Sequence, residues 1–153
     1  MGEHNTLVDM LSSTSGSGKT GPGPYAVMFS TYMGILAKRV SIVIHSWDEF
    51  QEADKNLLWQ DTLHNFNITP NTERVRKKVL SNIAIRWKGF KTYLTREWVF
   101  GKNKDLNPYF TYQCITEEVW EQFRASRLKA DWLKKREEAQ QKQKLNDTPH
   151  LLS

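Results

Sequence analysis

The stretch TERVRKKVLSNIAIRWKGFKTYLTREWVFG, residues 72 to 101, decides the fold. Thr72 is a suitable N-cap and Gly101 a suitable stop. Between them Val75, Val79, Ile83, Trp87, Phe90, Leu94 and Trp98 step by four, four, four, three, four and four. At about 100° per residue these side chains fall within a sector of about 140°, the width of a stripe that faces a core. The spacing predicts an amphipathic helix over residues 72–100. On its other side lie Arg74, Lys77, Lys78, Ser81, Lys88, Thr92, Thr95 and Arg96, with no carboxylate among them.

That face has a single sign of charge. A solvated helix face normally mixes signs, because opposite charges four residues apart are mildly stabilising and like charges repel. The net charge of +5 is also unevenly spread. Residues 72 to 104 carry ten basic groups against Glu73 and Glu97, a net +8, whereas residues 47 to 71 carry Lys55 against five carboxylates, a net −4. A polyanion laid on the basic face would relieve the repulsion and release condensed counterions, the usual source of nucleic-acid affinity. The bland alternative is that the acidic segment folds across the face and neutralises it. On the first reading Lys77, Lys78, Lys88, Lys91 and Arg96 touch phosphates and Arg74 lies near the groove edge, while Trp47, Trp59, Trp87 and Trp98 form the core.

Working outward, a helix is expected from Asp54 to about Phe66, where Leu58, Trp59, Thr62, Leu63 and Phe66 recur on one side. Ser46 and Glu49 form a capping-box pair that opens a helical turn at Trp47. Residues 25 to 46, YAVMFSTYMGILAKRVSIVIHS, read as an apolar arm, with a short strand suggested by Val40, Ile42, Val43 and Ile44. Residues 1 to 24 read as a disordered lead-in, rich in Ser and Gly over SSTSGSGKTGPGP. Downstream, Thr116 followed by Glu117 and Glu118 starts another helix. Val119, Trp120 and Phe123 dock it, and Trp132 and Leu133 fasten it a second time. Residues 135 to 153 are a polar helical extension and tail. The expected architecture is mainly α: a small domain over 47–134 with about three principal helices, a flexible N-terminal arm and a polar C-terminal helix.

Several chemistries are disfavoured. With 153 residues the chain suits one domain and a tail. The single Cys114 excludes an internal disulfide framework, and it shows no zinc spacing with His4, His45, His64 and His150. No run approaches the roughly 18 to 20 apolar residues of a membrane span, so the chain reads as soluble and intracellular, with no membrane partner. Gly18, Lys19 and Thr20 end a phosphate-loop pattern, but Ser13 stands where its first glycine belongs and GPGP follows, so a linker is the better reading.

Four separated blocks carry a resemblance. RVRKKVLSNIAIRWKGFKTYLTREW at 74–98, FSTYMGILAKRV at 29–40, the W-x-x-F at 120–123 followed by Arg127, and the terminal QKQKLNDTPHLLS together look like the plant transposase family labelled Ptta/En/Spm. The resemblance covers about residues 29 to 152. It implies an origin in a CACTA-type transposable element, a helical region associated with DNA, and a nuclear location. It further implies a truncated copy, since relatives continue through a glycine- and tyrosine-containing segment. Loosely, the helix with Leu58 and Trp59, a break, and the basic helix with Trp87 and Phe90 are also similar to Myb/SANT and trihelix modules.

Strand transfer needs carboxylates holding two divalent metals on a mixed scaffold, and this text offers no sheet to position them. Asp48, Glu49, Asp54 and Asp61 read as helix-start and surface charges rather than metal ligands. The expectation is a non-catalytic protein without cofactor that binds duplex DNA mainly through its backbone. The rival expectation is a protein-interaction module, a transposase subunit or self-associating chain that uses the 116–145 helix and ignores DNA.

Overall fold

The computed structural model describes residues 23 to 147. Among them are five α-helices and no strand: α1 Pro24–Ala37, α2 Glu52–Asn65, α3 Glu73–Leu94, α4 Glu117–Arg127 and α5 Ala130–Asp147. The mainly α class expected from the sequence is the class found. The chain divides into two compact units within the last turn of α3, the first ending at Thr92 and the second beginning at Tyr93. The lead-in expected over 1–24, with its phosphate-loop remnant, and the last residues of the expected tail lie outside the described residues, Gly23 and Pro24 excepted.

In the first unit the α3 stripe is buried as its spacing requires. Val75, Val79, Ile83 and Trp87 pack with Phe29, Met33, Leu36 and Ala37 of α1, with Val40, and with Leu58 and Trp59 of α2. Trp87 is at the centre and has no exposed surface. Its indole N–H donates to the Ser41 carbonyl at 3.1 Å, and its ring centre lies 5.9 Å from that of Trp47. Phe66, just past α2, closes the far side against Phe29 and Tyr32 at ring separations of 5.2 and 5.4 Å. The buried Thr62 hydroxyl donates a hydrogen bond to the Leu58 carbonyl at 2.9 Å, so it is not left unpaired.

Residues 25 to 46 correct the sequence reading. The expected extended arm is mostly helix α1, which starts with proline in its first turn. No strand follows. Instead the chain makes successive turns, with Arg39 N–H donating to Leu36 O at 3.0 Å and Val40 N–H to Ala37 O at 3.2 Å. β-Branched residues favour a strand only when a neighbouring strand supplies the ladder. Here Val40 and Ile42 gain burial against helices instead. The residues of α1 are apolar on its exposed side as well as its buried one, so its sequence shows no clear 3.6-residue period to announce it.

The local end signals fare better. Thr72 Oγ1 accepts from Val75 N–H at 3.3 Å, and Thr116 Oγ1 from Val119 N–H at 3.2 Å. Glu49 Oε2 accepts from Ser46 N–H at 3.0 Å, and a single 3-10 turn opens at Trp47. The helix expected over 72–100 is α-helical to Leu94 and then widens into a π turn, Thr95–Val99. Gly101 is a stop for a steric reason. A Cβ there would overlap the Arg96 carbonyl oxygen and sit 2.8 Å from Glu97 Cα.

The second unit has its own core of Leu94, Trp98, Val99, Ile115, Trp120 and Phe123. Trp98 therefore does not join Trp47, Trp59 and Trp87, contrary to the sequence reading. The W-x-x-F block and Arg127 form a structural node. Trp120 and Phe123 stack at 5.7 Å, and the Arg127 guanidinium lies 4.4 Å from the Phe123 ring centre while its Nε donates to Thr95 Oγ1 at 3.1 Å. Burial pushes the pKa of Arg127 below its ordinary value. Trp132 stacks on Phe100 at 6.0 Å and Arg136 covers the same Phe100 ring at 4.1 Å, whereas the rest of α5 is exposed as far as Asn146. Trp87→Ala is expected to lower the unfolding free energy by about 3–5 kcal/mol in urea titrations, and Thr72→Ala by about 1 kcal/mol through loss of the cap.

Candidate nucleic-acid interface

Helical geometry sorts the basic residues before any contact is considered. Measured from Arg74 at about 100° per residue, Lys77, Lys78 and Lys88 fall within about 60° of it, whereas Arg76, Arg86 and Lys91 fall roughly 100° or more away, toward the stripe. The three on the inner side are used by the fold. Arg76 bridges Glu73 at 3.2 Å and Glu52 at 3.4 Å. Arg86 donates to Asn82 Oδ1 at 2.8 Å and to Ser30 Oγ at 2.5 Å, which ties α3 to α1.

Lys91 is the clearest correction to the expected site. It is only 8% exposed, its Nζ donates to the Ile44 carbonyl at 2.8 Å, and it lies 4.0 Å from the Trp87 ring centre. It holds the turns after α1 against α3 and is not presented to phosphate. The sequence contained the signal, because Lys91 sits one turn beyond Trp87 and its angle borders the apolar stripe. Arg96 departs as well. It lies on the π turn in the second unit, where its Nε meets Glu97 Oε1 at 3.2 Å. Thr95, placed on the polar face by spacing, is buried and accepts from Arg127.

Arg74, Lys77, Lys78 and Lys88 remain together on the outer face of α3. Arg74, Lys77 and Lys88 are exposed and Lys78 is half-buried. Among the described residues no carboxylate forms an ion pair with any of the four. The acidic segment does fold beside α3, but it spends its charge elsewhere: Glu52 meets Arg76 and Lys55, and Asp61 meets Arg39. The face spans about 21 Å from Arg74 to Lys88 at 1.5 Å per residue. Along its middle run Ser81, Ile85 and Thr92, all exposed. Ile85, 67% exposed, is the residue that the sequence reading passed over. Its signal was an isolated apolar residue within a charged face.

A second surface lies on α1. Tyr25, Val27, Met28 and Ile35 are each half or more exposed, and a shallow groove runs between Met28, Ile35 and Phe66. These side chains make the outer side of α1 apolar, whereas most of α5 is polar and exposed. The aromatic residues divide otherwise. Trp59 and Trp87 are buried, so they do not offer ring faces to nucleobases. Among the described residues no group of three or more His, Cys, Asp or Glu is placed to hold a metal ion, and no helix is long and apolar enough to cross a membrane.

No family model, curated protein or solved structure matches the chain. Assignment of the face rests on its own chemistry. Lys91→Ala is expected to cost about 1–2 kcal/mol of stability by leaving the part-buried Ile44 carbonyl without this donor and removing a ring contact. Lys88→Ala is expected to stay within about 0.5 kcal/mol, and paired urea titrations compare the two.

Proposed function

We propose that the chain is a transposable-element-derived, non-catalytic DNA-binding protein that contacts duplex phosphates through Arg74, Lys77, Lys78 and Lys88. The observation that carries the reading is four cations on one helix face without a carboxylate partner, beside an acidic segment that is within the same unit and pairs elsewhere. A fold that needed those charges only for solubility would gain by mixing signs. A duplex presents about one phosphate charge per 1.7 Å of axis, so the face meets a dense counter-charge along its length. The resemblance to the Ptta/En/Spm transposase family supports a CACTA-element origin and a nuclear location. Catalysis, if the element has it, belongs on this reading to another chain.

With four phosphates neutralised, log affinity should fall with log salt at a slope of about −3.6, or roughly 150-fold between 50 and 200 mM. Charge reversal at Lys77, Lys78 or Lys88 should weaken binding to all sequences alike and flatten that slope by about 0.9 each. Gel-shift titrations across salt measure both. A salt-independent response would remove the reading.

The apolar side of α1 favours a second reading, an accessory subunit that self-associates through Met28 and Ile35. Sedimentation velocity of the full chain would then show a dimer that Ile35→Glu converts to monomer, with no change on adding duplex. A monomer at all concentrations excludes that reading.

A further inference from the structure

We infer that Ile85 reads the 5-methyl group of thymine in the major groove; the inference rests on the DNA-binding reading above and gives it a base preference. Ile85 is 67% exposed, and it lies on the outward side of the helix, about 4.5 Å along the axis from Lys88. Relative to Arg74 it lies only about 20° around the helix, with Lys77 and Lys88 on one flank and Lys78 on the other. Lys77 and Lys88, about 80° and 60° to one side of Ile85, reach one phosphate wall, the long side chains of Arg74 and Lys78 bend outward to phosphate, and the shorter Ile85 among them faces the groove floor. A helix of about 10–12 Å diameter enters a major groove about 12 Å wide and cannot enter a minor groove of about 6 Å.

On that floor the donors and acceptors of the bases have no use for a branched alkyl side chain. The thymine methyl is the apolar group presented there, and contact with it is the way an aliphatic residue discriminates base pairs. Gly89, one turn beyond Ile85, makes the approach close. Nothing lies within 4 Å of the place its Cβ would occupy, so the helix surface beside Ile85 is flat and open. The Ser81 hydroxyl, one turn before, is exposed on the same line and suits a base edge of either polarity.

The test uses the full chain and two 24-base-pair duplexes of alternating A·T pairs, identical except that one carries uracil for every thymine. Removing the methyl deletes one buried carbon, so wild-type affinity should fall roughly four-fold per thymine contacted. Ile85→Ala should bind both duplexes equally, at about the affinity of wild type for the uracil duplex, and should keep the salt slope of wild type. Retention of part of the discrimination by Ile85→Val would support the same contact. Equal wild-type affinity for the two duplexes, with salt-dependent binding intact, overturns the thymine contact and leaves the phosphate reading standing. Discrimination that persists in Ile85→Ala overturns it too, because the methyl is then read by another group. Binding to neither duplex overturns both.

Discussion

Burial of one stripe on α3 is the constraint on which the first unit depends. Val75, Val79, Ile83 and Trp87 have at most 2% of their surface exposed, and α1, α2 and the turns between them are the material that covers these side chains. Burying a large aromatic such as Trp87 removes an area worth several kcal/mol from water. Its indole donor still needs an acceptor in that interior. The Ser41 carbonyl supplies it, and Lys91 holds the next turn through Ile44. An apolar contact and two directional bonds thus fix the same loop, and the loop in turn cannot become a strand.

The orientation of the charged face follows from that burial. A helix that turns Trp87 inward turns Arg74, Lys77, Ser81, Ile85 and Lys88 outward, because rotation about the axis is a single degree of freedom. The basic residues nearer the stripe are recruited by the fold: Arg76 by Glu52 and Glu73, Arg86 by Ser30 and Asn82, Lys91 by Ile44. Those on the outer side keep their charge for solvent or for a ligand. A count of lysines and arginines over the segment therefore overstates the candidate interface, and the helical angle corrects it.

Elements set by local chemistry were legible in the sequence. Thr72, Thr116 and the Ser46 and Glu49 pair act within three residues of themselves, and each makes the bond its position implies. The α3 stripe was legible for the same reason that it is buried, its strict period. Segment 25–46 was not, because an almost wholly apolar helix and an apolar strand share a composition and lack a distinguishing period. The helix ends where its stop signal lies, but its last turn, Thr95–Val99, is π rather than α, a change of hydrogen bonds that the apolar spacing does not reveal.

The sequence by itself determined that the chain is mainly helical, that residues 72–100 have an oily and a cationic side, and where the capped helices begin. These follow from interactions between residues three or four positions apart, which the order of amino acids states directly. Only the tertiary structure decided that Trp98 and Arg96 belong to a second unit, that Lys91 is sealed against Trp87, and that Glu52 and Asp61 leave the four outer cations alone. Those outcomes depend on which distant groups compete for the same partner. Sequence proximity carries no information about that competition, and packing settles it.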